Sequence, residues 1–443
     1  MGRPTSNTVS VITPLHAAGN PFIGETYESL SVQTDSEWEW VIVENNGGVV
    51  PEKVRLDERV KVVQLESGLI GLLKRSACEV ATGFAVIELD ADDLLHPNAI
   101  ERVRAAFANS ENPDFVFSDF AEFQHAPLAP QIPYNARFGW SYYPASLRGV
   151  VLAAMHSPAA TEHNVRLIDW APNHLRAWRA ESYWRAGGHD KSMAVGDDHD
   201  LVVRMLLGRS KFFHIPECLY FYRVHGSNTV TTKNAAIRDA TMGVYNRHVW
   251  NLAENWTRRK RLLRVDLCGG FVVPPGYISI DRRVRKDDDI ACDLDGRWEL
   301  ADSSVGVLRA YDAIEHLRDP IHTMNEAYRV LAPGGWLMIH VPSTNGLGAF
   351  SDPTHKSFWN KLSFRHYTDQ AIARYTPEFV GRFQVSRIIE WFPSDWHKEN
   401  NVPYVEAHLI SCKDGFRAMG EYLWPDDKAV SGASTDLGQS TNG

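Results

Sequence analysis

The sequence predicts an α/β protein of two domains, and three observations carry that expectation. At 443 residues the chain exceeds one ordinary hydrophobic core. From residue 9 to about residue 90, short apolar runs alternate with helix-like stretches, the pattern of a parallel sheet. A second alternation of the same kind begins near Leu263. With 44% apolar and 23% charged residues, the composition is that of a folded globular chain.

Each element has its own justification. Residues 9–13, Val-Ser-Val-Ile-Thr, read as a first strand stopped by Pro14, and a helix is expected over 22–34. Residues 38–43, Trp-Glu-Trp-Val-Ile-Val, form a second strand that ends in the turn-rich Glu44-Asn45-Asn46-Gly47-Gly48. A third strand is expected over 60–64, a helix over 69–82, and a strand over 84–89 that runs into Asp90-Ala91-Asp92-Asp93. Ligands of open α/β sheets bind beyond the carboxyl ends of strands, so Pro14, Glu44 and Asp90 are expected to line one crevice. Residues 124–170, rich in Pro, Ala and aromatics without a clean period, are expected to be long loops over that crevice. A helical stretch over 234–263 carries the basic run Arg258-Arg259-Lys260-Arg261. Strands are then expected over 265–267, 277–281 and 336–341. The resulting division is 6–232 for the first domain, 233–262 for a helical connection, 263–425 for the second domain and 426–443 for a disordered Ser/Gly/Thr-rich tail.

The bulk numbers exclude several classes. A net charge of -9 gives no bulk attraction to nucleic acid or anionic membrane. No apolar run approaches transmembrane length, and residues 1–7 lack a signal-peptide segment. Five scattered cysteines without a CxxC fit a reducing compartment and argue against a zinc site or a disulfide framework. A cytoplasmic location is the expectation.

Two acidic clusters carry the chemistry. The first is Asp90-Ala91-Asp92-Asp93; the second is Gly196-Asp197-Asp198-His199-Asp200-Leu201, followed by Tyr222-Arg223-Val224-His225. A strand that delivers two carboxylates one residue apart can place one on a sugar nucleotide and the other on its divalent metal. A later carboxylate can serve as base and a later His as metal ligand. An isolated acidic run is equally well a solvated turn, so the pattern acquires weight only as a series.

That series resembles the family 2 glycosyltransferases of GT-A fold over roughly the first 230 residues. Besides the two clusters, the matching segments are Val9-Ser10-Val11-Ile12-Thr13-Pro14-Leu15, Glu28-Ser29-Leu30-Ser31-Val32-Gln33-Thr34, Trp184-Arg185-Ala186-Gly187-Gly188 and Leu219-Tyr220-Phe221-Tyr222-Arg223-Val224-His225. The resemblance implies a DxD motif in which Asp90 faces the donor ribose and Asp92 a Mn²⁺ or Mg²⁺ ion, with His225 completing the metal site. It implies Asp198 as general base, Pro14 and Glu44 as donor-binding positions, and inversion at the anomeric carbon. Two positions depart from the pattern. Glu44-Asn45-Asn46 stands where the family has Asp-Asp-Gly, and Asp197 shortens the acid before the base. Lys74, where the family often has Arg, is either a diphosphate partner or a surface helix lysine. The implied donor is a nucleotide sugar, a UDP-sugar first; the acceptor, whether glycan, lipid-linked, protein or modified nucleic acid, stays open.

From about residue 262 to 412 the chain resembles class I S-adenosylmethionine-dependent methyltransferases, with a Rossmann-like fold. The segments are Val265-Asp266-Leu267-Cys268-Gly269-Gly270, Ile280-Asp281, Cys292-Asp293-Leu294, Ala313-Ile314-Glu315-His316-Leu317 and Glu326-Ala327-Tyr328-Arg329-Val330-Leu331-Ala332-Pro333-Gly334-Gly335. The resemblance implies that Gly269 and Gly270 let S-adenosylmethionine approach the backbone, that Asp281 holds its ribose and that Asp293 lies near its adenine. Pro274 and Pro275 leave no room for a helix between the first two strands. His316 and His355 are each a candidate base or a structural histidine, and Glu315 reads as structural. The leading reading is a glycosyltransferase fused to an O-methyltransferase acting on the same glycan or acceptor. Its alternatives are a non-catalytic methyltransferase-like docking domain and a nucleic-acid-modifying enzyme using Arg258–Arg261, Arg282, Arg283, Arg285 and Lys286.

Overall fold

The structure is a computed structural model that describes residues 7–417, except 126, 133, 137–138, 167, 169–170, 229–231, 271, 284–285 and 288. The expected tail at 426–443 and Arg285 lie outside the described residues. The chain divides into two compact units, with the division between His248 and Val249.

The first unit is built on an eleven-stranded sheet. Its strands are β1 (Val9–Leu15), β2 (Trp38–Glu44), β3 (Val60–Gln64), β4 (Ala85–Glu88), β5 (Leu94–Leu95), β6 (Phe115–Gln124), β7 (Ala129–Pro130), β8 (Tyr142–Leu147), β9 (Val150–Met155), β10 (Arg176–Arg179) and β11 (Phe212–Val224). The main path runs β3-β2-β1-β4-β10-β6-β11-β5. Strands β1 to β4 pair in parallel, and β10 enters antiparallel between β4 and β6. Every residue of β2 and β4 is buried, as expected for strands covered on both faces. Helices α1 (Ile23–Ser31), α2 (Ile70–Val80), α3 (Ala99–Phe107) and α4 (Asp197–Leu207) turn their apolar residues inward.

Two expectations need correction here. Strand β1 does not stop at Pro14: it continues to Leu15, with Pro14 opposite Val43 and Leu15 opposite Glu44. Pairing with β4 ends at Ile12, so the missing N–H of Pro14 costs no ladder bond on that side. Residues 124–170 are also not only loops, because β8 and β9 form a hairpin that joins β6. Its two-residue turn, Arg148 (φ 50°) and Gly149 (φ 82°), has both φ values positive, the turn whose twist suits a hairpin.

A 27-residue helix, α5 (Asn234–Lys260), ends with Arg258, Arg259 and Lys260 in its last turn, where cations complement the helix dipole. The second unit carries β12 (Leu263–Leu267), β13 (Ile278–Asp281), β14 (Ile290–Ala291), β15 (Val305–Tyr311), β16 (Leu331–Pro342), β17 (Phe383–Trp391) and β18 (Tyr404–Ser411). Their order is β14-β13-β12-β15-β16-β18-β17, parallel up to β16 and antiparallel beyond. Helix α6 (Pro320–Val330) is capped by the Asp319 carboxylate and packs against the sheet. Val265, Leu308, Ile339, Leu409 and Trp359 lie in the core. Among the described residues no helix joins β12 to β13. Cys268 and Gly270 take φ of +51° instead, and a Cβ on Gly269 would stand 2.6 Å from Ser279 Oγ. Of the described residues, no helix is long and apolar enough to cross a membrane.

Candidate active sites

In the first unit the parallel register fixes one edge. Ile12 lies opposite Glu88 and Leu15 opposite Glu44, so Pro14, Glu44 and Asp90 follow the same ends of β1, β2 and β4. The turn after β4 leads back along β11, where Asp93 accepts hydrogen bonds from Tyr220 Oη and the Arg223 N–H, both at 2.7 Å. That docking holds Asp92 beside His225, with Asp92 Oδ2 2.8 Å from His225 Nε2. Phe22 stacks on the His225 ring at 4.9 Å between centroids. Both side chains stay partly open, 23% for Asp92 and 16% for His225.

Burial raises the Asp90 carboxyl above the ordinary range against the pull of Lys74, and Asp92, Glu88 and Asp198 add repulsion. A divalent cation would relieve that repulsion, and a carboxylate with an imidazole suits Mn²⁺. The residues present therefore fit a metal. His225 Nδ1 accepts the Ser227 N–H at 3.3 Å and lies 2.8 Å from Ser227 Oγ, which turns Nε2 toward the Asp92 carboxylate.

Behind this edge sits a buried charge network. Glu88, 2% exposed, has Lys74 Nζ at 2.6 Å, His189 Nε2 at 3.3 Å and Arg176 at 3.6 Å. Lys74 also reaches Asp197 at 3.8 Å. It is 6% exposed, so the surface-lysine alternative falls; its ammonium is occupied by two acids inside the unit. Asp198 pairs through Oδ2 with Arg176 and accepts the His199 N–H on Oδ1 at 2.8 Å. Burial alone would raise the Asp198 carboxyl, but Arg176 and Lys74 overcome it and hold it well below the carboxylate range. Glu44 is also engaged, accepting from the Val50 N–H at 2.7 Å and pairing with Arg55.

In the second unit a cavity of about 410 Å³ opens at the carboxyl ends of the parallel strands, lined among others by Cys268, Asp281, Asp293, His316, Thr354 and Lys356. Its size is that of a small-molecule site. Asp281 ends β13 and accepts the Arg283 N–H at 3.2 Å. Asp293 pairs with Arg282 at 2.7 Å. The tight backbone at Gly269 and Gly270 adjoins Cys268, whose thiol burial pushes up to about 12, an inert state. No disulfide joins any of the five cysteines.

Residues 10–152 match the model of glycosyl transferase family 2, and residues 252–339 match that of a methyltransferase domain. The chain joins a family 2 glycosyltransferase domain to a methyltransferase domain. The chain is similar to the O-antigen biosynthesis protein RfbC of Myxococcus xanthus, 25% identical over 240 residues, which are 53% of this chain and 17% of that one. It is also similar to an uncharacterized glycosyltransferase of Methanocaldococcus jannaschii, 26% identical over 125 residues, 27% of this chain and 43% of the other. The chain thus spans less than half the length of either relative. Among solved structures, S. aureus TarS 1–349 in complex with UDP-GlcNAc superposes with a TM-score of 0.41 at 17% identity, covering 57% of this chain and 73% of that one. The mannosyltransferase PcManGT of Pyrobaculum calidifontis, in complex with GDP-Man and Mn²⁺, gives 0.35 at 16% identity, covering 58% and 73%.

Sequence reasoning missed several residues of the glycosyltransferase domain. Glu88 was legible as an anomaly, a charged residue inside an apolar strand, which requires a buried partner. Arg176, His174 and His189 carry no signal, since segments far apart in the chain bring them to Glu88 and Asp198. The basic clusters of the methyltransferase half are partly neutralised at home: Arg258 pairs with Glu254, and Arg282 with Asp293.

Proposed function

We propose that the chain is a metal-dependent, inverting glycosyltransferase fused to an S-adenosylmethionine-dependent O-methyltransferase that modifies the same glycan or acceptor. The observation that carries the first half is the meeting of Asp92 and His225, 133 residues apart, at 2.8 Å. Asp92 and His225 would hold a Mn²⁺ or Mg²⁺ ion, which would supply Lewis-acid neutralisation of the departing nucleoside diphosphate. Asp90 takes the donor ribose, and the edge formed by Pro14 and Glu44 borders the base. Asp198 is kept ionised by Arg176, so it is ready to accept a hydrogen bond from the acceptor hydroxyl. The proton passes to Asp198 as the oxygen attacks the anomeric carbon. A single displacement of this kind inverts the centre. Lys74 acts as a positioning residue through Glu88.

For the second half, the cavity lined by Cys268, Asp281 and Asp293 supports a bound methyl donor over a purely docking domain. Fusion raises the concentration of one product at the next site.

The test is Mn²⁺-dependent turnover over a panel of nucleotide sugars, UDP-sugars first, with Asp92→Ala and Asp198→Ala beside the parent chain. Each variant is expected to lose at least ~10²-fold in rate. An Asp92→Ala chain as active as its parent overturns the metal reading. A product that retains the donor's anomeric configuration overturns inversion.

A further inference from the structure

Glu315, His316 and His355 meet beside the cavity of the second unit, on whose wall His316 lies, and have no task in the reading above. Glu315 and His316 belong to the short 3-10 turn Ile314–His316 that follows β15. His355 comes from the loop 352–357, which docks on that turn. The Lys356 and Ser357 N–H groups donate to the Glu315 carbonyl at 2.7 and 3.0 Å, and Ser357 Oγ donates to the Ile314 carbonyl at 2.9 Å. One donor atom from each of the three side chains lies within 4.8 Å of the others. Glu315 is 2% exposed, and neither of its carboxylate oxygens has a hydrogen-bond partner. Burying such a group unpaired is costly.

The two imidazoles are held alike. His355 Nδ1 lies 2.8 Å from the Ala349 carbonyl, which can only accept, so Nδ1 carries the hydrogen and Nε2 is bare. His316 Nδ1 lies 3.1 Å from Thr354 Oγ1, whose own hydrogen goes to Asp352 Oδ1 at 2.6 Å. That hydroxyl therefore accepts as well, and His316 Nε2 is bare too. Histidines that ligate metals almost always donate their other ring N–H in this way.

We propose that Glu315, His316 and His355 form a binding site for a divalent first-row transition cation. Asp352 Oδ2 stands 3.9 Å from His355 Nε2, at the rim of the site. Two imidazoles and one carboxylate suit Zn²⁺, Co²⁺ or Fe²⁺ better than Mg²⁺ or Ca²⁺. The cysteine spacing argued against a zinc site; these donors are of another kind and converge only in the fold. Three protein ligands leave coordination positions open. His316 and Thr354 line the cavity, so a cation held by these residues would adjoin the space where an acceptor hydroxyl would enter and would serve to orient and acidify it. That role rests on the methyltransferase reading; the binding of the cation does not.

The experiment uses the full chain carrying Asp92→Ala, which removes the cation site of the first unit. Zn²⁺ and Co²⁺ are titrated into chelator-stripped protein, with the bound metal counted after dialysis and the Co²⁺ visible bands recorded. One tight cation per chain is expected, weakened about 100-fold by Glu315→Gln, His355→Ala or His316→Ala. His316→Ala lies on the cavity wall and carries the test if a buried variant does not fold. No bound cation, or affinity unchanged in the folded variants, overturns the site. Calorimetry of S-adenosylmethionine in EDTA on the same samples separates the two readings. Donor binding without cation binding overturns the site and leaves the methyltransferase reading intact. Cation binding without donor binding upholds the site and removes its role in methyl transfer.

Discussion

Glu88 and Glu315 are equally buried, each 2% exposed, and the fold treats them in opposite ways. Glu88 lies among Lys74, His189 and Arg176. Burial alone would raise its carboxyl, but those neighbours overcome it and hold it well below the carboxylate range. Among the described residues Glu315 forms no ion pair, so burial pushes its carboxyl up to about 8; the nearby backbone N–H groups of Glu315 and Ala313 pull against that, and Asp312 and Asp352 add repulsion. Burial alone therefore does not set the charge of an acid; the surrounding donors do. The first unit has completed its charge network from its own residues, whereas the second holds an acid with room for a ligand.

The largest expected effect of breaking this comparison is on Glu88. Glu88→Gln leaves Lys74 buried with its nearest partner gone and Arg176 with Asp198 alone, and should lower the stability of the first unit by about 3–5 kcal/mol in denaturant unfolding. A neutral result would mean that Asp197 and Asp198 alone suffice for the network.

Next is the pH dependence of the second unit in EDTA. The folded state holds a proton on Glu315 that the unfolded chain gives up at ordinary carboxylate pH. The stabilisation is therefore complete below about pH 4.5 and is lost as the pH rises through about 8. Thermal melts of this unit should lose on the order of 3 kcal/mol between pH 5 and pH 8, and Glu315→Gln should flatten the curve. A flat curve in the parent chain would mean that Glu315 is ionised and paired.

A smaller effect is expected at Arg176. Replacing it with Gln removes the strongest group holding Asp198 down, so the acid limb of the turnover profile should move up by about one pH unit or more. Arg176→Lys should restore part of the shift, and an unmoved limb would separate Asp198 from proton transfer.

The smallest effect is Glu315→Gln at about pH 4 without metal, where the carboxyl is protonated in the folded chain and largely so in the unfolded one. An amide replaces a protonated carboxyl of the same shape, and stability should change by less than about 1 kcal/mol. A loss like that of Glu88→Gln would place a hidden cation beside Glu315.

Strand ends, the two acidic clusters and the restart near Leu263 were legible because they are local patterns. The alternation of apolar runs follows from the strand and helix periods, and Pro274-Pro275 excluded a helix between β12 and β13 on steric grounds. The hairpin of β8 and β9 was legible in principle, from Arg148-Gly149 before the run Val150-Val151-Leu152, but its first strand contains Pro144 and lacks alternation. Lys74 was read as either a diphosphate partner or a surface lysine, and its burial against Glu88 lay beyond sequence reach.

The sequence by itself determined which residue types could do chemistry and where strands would present them, because strand ends and turns are set by neighbours in the chain. Only the tertiary structure decided the pairings: Asp92 with His225, Asp198 with Arg176, Glu88 with Lys74, and Glu315 with no hydrogen-bond partner for its carboxylate among the described residues. The physical reason is that charge state and ligand geometry depend on distances of a few ångströms between segments remote in sequence. No local pattern encodes those distances.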